Sequence, residues 1–197
     1  RKTRRVRSTR PTKTLAVPKE YIIPAQYADA IDIVKAHGFD INYLKEEKTL
    51  KVNTYRFSNV AFMPMPSEGH SRVARFDAEE ITKDVTFPKG SAVVKTSQNG
   101  IRLLMNLLEP EMPGSLFEWG FFNNVLQRVE YFEVYKMEPM AKAMLAADPF
   151  FEGQFNEWKA TFPKDRQPSQ YEILNWFYER SPYCDKNYLV YPIGMVR

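Results

Sequence analysis

Two histidines, one cysteine and a few carboxylate pairs are the side chains with which this chain could break a bond. A hydrolytic zinc site usually takes three protein ligands, with His and Glu side chains close in the fold. His37 is followed by Gly38-Phe39-Asp40 and His70 by Ser71-Arg72-Val73. Neither opens the HxxE or HExxH spacing that sets two ligands on one site. His37 ends a predicted helix and reads as a capping or interface histidine. His70 stands in a glycine-containing loop and reads as solvated. Cys184 lies in Ser-Pro-Tyr-Cys-Asp, with no glycine turn and no histidine close in sequence. That is the setting of an inert thiol, not of a nucleophile. There is no G-x-S-x-G elbow and no G-x-x-x-x-G-K-[ST] or G-x-G-x-x-G phosphate loop. The pairs Glu46-Glu47, Glu79-Glu80 and Glu109 with Glu111 read as solvated charges, whereas a glycosidase needs two carboxyls facing one cleft. We therefore assign no catalytic residue and no metal ligand in this chain, and expect no catalytic activity from this segment alone.

Composition narrows the field further. The 197 residues suffice for one sizeable domain with an arm. Aromatic residues make up 14%, and they bury enough area to exclude disorder across the whole chain. The formal charge of +4 is unevenly placed. Arg1, Lys2, Arg4, Arg5, Arg7, Arg10 and Lys13 have no acid among them, and without these seven the chain has 21 basic against 24 acidic residues. A nucleic-acid-binding fold spreads its Lys and Arg over a face, and no aromatic residue interleaves this arm to stack on bases. A solvated linker or strap is the simpler reading of residues 1–14, with nucleic-acid binding through the arm as an alternative. A single cysteine forms no intrachain disulfide, which fits a reducing cytosol or a bacterial periplasm. No apolar run reaches the ~18 residues of a membrane span, and no signal peptide is visible. Without an initiating Met, the chain is expected to be a fragment of something longer.

The elements that must position any site follow from periodicity. Glu20 to Ile23 predicts a short strand and Gln26 to Ala36 a helix, its apolar residues recurring at helical spacing before a Gly38 stop. Ile41 to Leu44 resumes in extended form. Such a β-α-β opening normally makes its two strands parallel. From Thr49 to Val94 the pattern has period two. Strands are predicted around Leu50 to Tyr55, Val73 to Asp77, Thr82 to Phe87 and Ser91 to Val94, with hairpin links and a turn at Pro88-Lys89-Gly90. Phe62 to His70 reads as a loop. Helices are predicted at Ile101 to Leu108, Pro139 to Ala147, Phe150 to Thr161 and Ser169 to Arg180, and the tail from Ser181 reads as irregular. The expected fold is mixed α/β. A central mixed sheet has a β-α-β opening and antiparallel hairpins in the middle, and helices of the second half cover it. Residues 15–197 are read as a single domain.

The most distinctive stretch runs from Phe117 to Tyr135, with Phe117, Trp119, Phe121, Phe122, Tyr131, Phe132 and Tyr135. Most of it reads as core, with an exposed remainder as a candidate interface.

Several phrases in ordered succession resemble the region behind the catalytic domain of bacterial carboxypeptidase A-like zinc peptidases. They are Tyr21-Ile22-Ile23-Pro24, Ile33-Val34-Lys35-Ala36-His37-Gly38, Val85-Thr86-Phe87-Pro88-Lys89-Gly90-Ser91 and Leu107-Leu108-Glu109-Pro110. They continue with Trp119-Gly120-Phe121-Phe122-Asn123, Glu130-Tyr131-Phe132-Glu133, Met137-Glu138-Pro139 and Ser181-Pro182-Tyr183. The resemblance runs from about Thr9 to Pro192. It implies that this chain is the C-terminal domain of a zinc metallocarboxypeptidase, a hydrolase of proteolysis. The zinc ligands, the substrate-binding arginine and the catalytic Glu would lie in a preceding domain, so Zn belongs there and no cofactor is assigned here. It also implies a periplasmic or secreted setting. Some relatives carry a domain resembling class I glutamine amidotransferases at this place, and this chain lacks the Cys-His pair for that chemistry. The partner would be the chain's own N-terminal peptidase domain, with a homo-oligomer as a further possibility. Trp119, Phe121, Asn123, Tyr131 and Glu133 are assigned to that contact surface, for shape and hydrogen bonding without proton transfer. A rival reading is an independent peptide- or glycan-binding module built on exposed aromatics.

Overall fold

The computed structural model describes residues 14–128 and 131–197. The basic arm, except Thr14, lies outside the described residues, as do Val129 and Glu130. Where the sequence was read as one domain, the chain packs as two compact units: residues 14–126 with 189–197, and residues 127–188.

The larger unit is a six-stranded sheet with two helices. Its strands are β1 (Glu20–Ile23), β2 (Asn42–Tyr43), β3 (Lys48–Phe62), β4 (Val73–Phe87), β5 (Ala92–Lys95) and β6 (Gly194–Val196), in the order β2-β5-β1-β6-β3-β4. The mixed α/β class holds, but every pairing is antiparallel. The expected parallel pair does not form. β1 and β2 both pair with β5, one on each side of it. They run in one direction but never touch as a ladder. Nor do β4 and β5 make a hairpin across Pro88-Lys89-Gly90, because β4 is the far edge strand.

Alternation decides which side chains enter the core. Along β1, Tyr21 and Ile23 face a large cluster shared with α1 (Ala28–Ala36) and α2 (Ile101–Leu108), while Ile22 joins Val52 and Phe87 in a small cluster of its own. α1 contributes Ala30, Ile31 and Val34, and α2 contributes Leu104, Leu107 and Leu108, all buried at helical spacing. α1 ends at His37, whose backbone N–H donates to Ile33 O. Gly38 follows at φ +84°, a conformation in which a Cβ would be strained. A chain of rings fills the middle of this core. Phe57 stacks on Phe117 with centroids 4.2 Å apart, and Tyr191 meets Phe57, Phe117 and Phe122 edge-on.

β6 is the element the sequence does not announce. The tail from Ser181 was read as irregular, yet Gly194–Val196 inserts between β1 and β3. Gly194 lacks a side chain for a reason: a Cβ there would sit 2.7 Å from Phe87 Cζ and 3.1 Å from both methyls of Val52.

The smaller unit packs α3 (Val134–Ala147), α4 (Pro149–Ala160) and α5 (Gln170–Arg180) around Met137, Phe155, Leu174, Trp176, Phe177 and Tyr178. α3 starts five residues before the expected Pro139, which lies inside the helix. Proline is favoured at a first helical turn, so Pro139 reads as a start. Here it costs one helical hydrogen bond instead. α4 begins at Asp148-Pro149, where Asp148 Oδ1 accepts from Phe150 N at 2.9 Å. α5 opens with a complete capping box between Ser169 and Glu172.

Candidate functional site

The loop between β3 and β4 ends in a tight hairpin. Ser67 and His70 exchange both backbone hydrogen bonds, 3.0 and 2.9 Å, across Glu68 and Gly69, which both take positive φ. The loop carries Phe62, Met63 and Met65, with Met65 77% exposed. Phe62 and Met63 are also partly open to solvent, at 41% and 44%; large exposed apolar side chains mark a candidate contact surface, and Met adapts to varied contacts.

The back of this loop is braced by the segment 114–123. The Arg72 guanidinium pairs with the Glu118 carboxylate and lies over the Trp119 ring, 4.2 Å from its centroid. Glu118 in turn accepts from Gly114 N at 2.6 Å, and its carbonyl accepts from Val73 N at 2.9 Å. His70 stacks on Phe121 at 5.1 Å and meets Trp119 edge-on at 6.1 Å. Asn123 Nδ2 donates to Ser71 O at 2.7 Å. His70 is thus half-buried and held in a ring stack, not solvated as its loop setting suggests.

The structure places the five sequence-assigned residues in two groups. Trp119, Phe121 and Asn123 come together behind the β3–β4 loop, all half-buried. Tyr131 and Glu133 belong to the smaller unit. There they line a cavity of about 430 Å³ with Phe132, Met137, Tyr178 and Tyr183. Tyr131 is 76% exposed, and Glu133 is the residue that precedes α3. The aromatic block divides as composition suggests: Phe117 and Phe122 are core, while Trp119 and Phe121 face the loop.

A second constellation went unrecognised in the sequence. Glu109 was read as a solvated charge beside Glu111, yet it is 1% exposed. Its Oε1 accepts from Tyr21 OH at 2.5 Å and its Oε2 from Tyr55 OH at 2.9 Å. Burial pushes the Glu109 carboxyl above the usual range, and the two phenol hydrogen bonds and Arg197 pull the other way. The Tyr21, Tyr55 and Tyr191 hydroxyls are all driven up, by burial first and then by the Glu109 charge. The phenols therefore stay neutral donors, and Tyr191 OH donates to Leu108 O at 2.8 Å. Beside this cluster lies a cavity of about 320 Å³ lined by Tyr55, Glu80, Glu111 and Arg197. Arg197 pairs with Glu80 at 2.7 Å. The sequence offers one signal: Glu109 directly follows the apolar Leu107-Leu108 at the end of α2, so the buried end of that helix carries it inward.

His37 Nδ1 lies 2.8 Å from Ile33 O at the end of α1. Cys184 sits half-buried against the smaller unit's core. Among the described residues, no three His, Cys, Asp or Glu side chains gather as a set of metal ligands. Among them too, no helix is long and apolar enough to cross a membrane. Comparison with known families, curated proteins and solved structures finds no match to this chain.

Proposed function

We propose that this chain is a non-catalytic accessory domain of a zinc carboxypeptidase, and that it docks on the peptidase domain through the β3–β4 loop. The observation that carries the reading is the exposure of Phe62, Met63 and Met65 on a loop whose rear is fixed by Arg72, Trp119, His70 and Phe121. A rigid support with an apolar tip is the arrangement of a contact surface, since little ordering entropy remains to be lost on binding. The ordered phrases that resemble the C-terminal region of these peptidases supply the identity of the neighbour. They also supply the periplasmic or secreted setting. In this reading the zinc and the proton-transfer groups belong to that neighbour, and this domain shapes or restricts its substrate cleft.

The test is calorimetric titration of the purified chain into the separately produced peptidase domain of its parent protein. Binding that weakens by about tenfold or more in Met65→Glu supports the reading. Absence of binding overturns it, and so does turnover of a peptide by the 197-residue chain with added zinc. A second reading has its own observation. The cavity of about 430 Å³ with Tyr131, Phe132 and Tyr183 on its walls suits the apolar side chain of a bound peptide.

A further inference from the structure

β4 is an edge strand of 15 residues. Its ladder with β3 is regular from Lys48↔Phe87 to Ser58↔Asp77. Among the described residues, the other edge of β4 makes one backbone hydrogen bond to the rest of the chain, from Val73 N to Glu118 O. Along residues 77–87 every second residue turns its N–H and C=O away from β3, and among the described residues no other backbone takes them up. Such an edge is a template for another strand.

We propose that the occupant is a second copy of this chain, with β4 pairing antiparallel to β4 of its partner about a two-fold axis at Ile81. The charges along the strand argue for it. A two-fold axis normal to the sheet keeps each side chain on its own face, so it must pass through a residue and not between two. Centring it on Asp77, Glu79, Glu80, Lys83 or Asp84 sets that charge against itself. Centring on Ala78 opposes Asp77 to Glu79, and centring on Thr82 opposes Glu80 to Asp84. Like charges directly opposite are destabilising. Ile81 alone between Asp77 and Asp84 avoids every such clash. It sets Ile81 on Ile81, Glu79 on Lys83 and Lys83 on Glu79. Charges that commonly protect an edge from indiscriminate pairing thereby select one partner and one register. Val85 and Phe87, in the small cluster with Ile22 and Val52, lie on the same face as Ile81 and Lys83. In this register Val85 faces Asp77 and Phe87 faces Arg75, so the apolar contact across the axis is Ile81 on Ile81. This inference stands apart from the docking role of the β3–β4 loop.

Sedimentation equilibrium of the full chain is the first measurement. The proposal expects a reversible dimer, weakened about tenfold or more by Lys83→Glu and equally by Glu79→Lys. It expects the dimer to return when both substitutions are combined. Cross-linking supplies a second readout that needs no change in charge. In a Cys184→Ser background, Ile81→Cys should form a disulfide-linked dimer under mild oxidation, because directly opposed residues lie about 4.5–5.5 Å apart at Cα. Thr82→Cys, which faces Glu80 in this register, should not. A chain that stays monomeric at its highest soluble concentration overturns the proposal. So does a dimer indifferent to both single charge reversals, or cross-linking as efficient at Thr82 as at Ile81.

Discussion

Gly120 makes room for Asn123. A Cβ on Gly120 would stand 2.7 Å from Asn123 Nδ2 and 2.6 Å from Ser71 O, the two atoms that hydrogen-bond each other. The glycine also sits at φ +84°, where an L side chain is strained. Two constraints thus meet at one position behind the apolar loop.

Gly120→Ala is expected to destabilise the larger unit by about 2–4 kcal/mol, from the left-handed backbone and the displaced Asn123 bond together. Urea denaturation followed by tryptophan fluorescence measures it. A loss under about 0.5 kcal/mol would mean that the brace is loose.

Met65→Glu should leave thermal stability unchanged, because the side chain is 77% exposed and closes no part of the core. The same substitution should weaken docking on the peptidase domain by about tenfold or more. A large fall in Tm would show that Met65 supports the fold instead.

Glu109 gives stability an unusual pH dependence. Its folded carboxyl is raised above the ordinary glutamate value, burial being the main cause. A carboxyl raised on folding binds its proton more tightly in the native state. Its contribution is complete below the unfolded value and is lost as pH rises through the folded one. The Tm of the native chain minus that of Glu109→Gln should therefore shrink over the pH range that opens at the ordinary carboxylate value and extends upward. A difference that grows over that range would show the carboxylate to be the favoured form.

Glu172 has the opposite sign. Hydrogen bonds from the Ser169 backbone and hydroxyl hold its carboxyl below the ordinary glutamate value. Its contribution is present above that value and is lost as pH falls through the lowered one. Ser169→Ala should cost the smaller unit about 1 kcal/mol at neutral pH. Circular dichroism of α5 melting, repeated under acid, should show the difference fading.

The smaller unit leaves and rejoins the larger one through adjacent backbone, since Leu189 N donates to Val125 O at 2.8 Å. Replacing residues 127–188 with a short Gly-Ser linker should preserve cooperative unfolding of the remainder. A molten product, read by loss of near-ultraviolet dichroism, would show that the two units depend on each other for packing.

Local patterns were legible and long-range ones were not. β1 and α2 carry their boundaries in the sequence, because Glu20–Ile23 is flanked by turn residues and Ile101–Leu108 is stopped by Glu109-Pro110. α5 likewise begins at a readable Ser169 cap. Pairing partners depend on contacts far apart in the chain, so a β-α-β reading of residues 20–44 could not reveal that β5 would come between the two strands. Gly194–Val196 is too short to show alternation, and its place in the sheet rests on what Gly194 leaves empty above Phe87. Within the candidate site, Trp119 and Phe121 lie in the stretch that aromatic density marks out, and Asn123 entered with the phrase that carries the resemblance. His70 and Arg72 were missed because their partners lie about fifty residues away. Tyr131 and Glu133 belong to another unit, a division that aromatic spacing alone does not disclose.

The place of β6 sets an order of events during synthesis. β1 and β3 have no shared neighbour until residues 194–196 leave the ribosome, after the whole of the smaller unit has been made. The three-helix unit, built from contacts close along the chain, can settle first. The sheet meanwhile waits with a gap at its centre. A nascent chain stalled before Gly194 should therefore be open to proteases in β1 and β3, and residues 194–196 would act as the keystone that shuts the sheet.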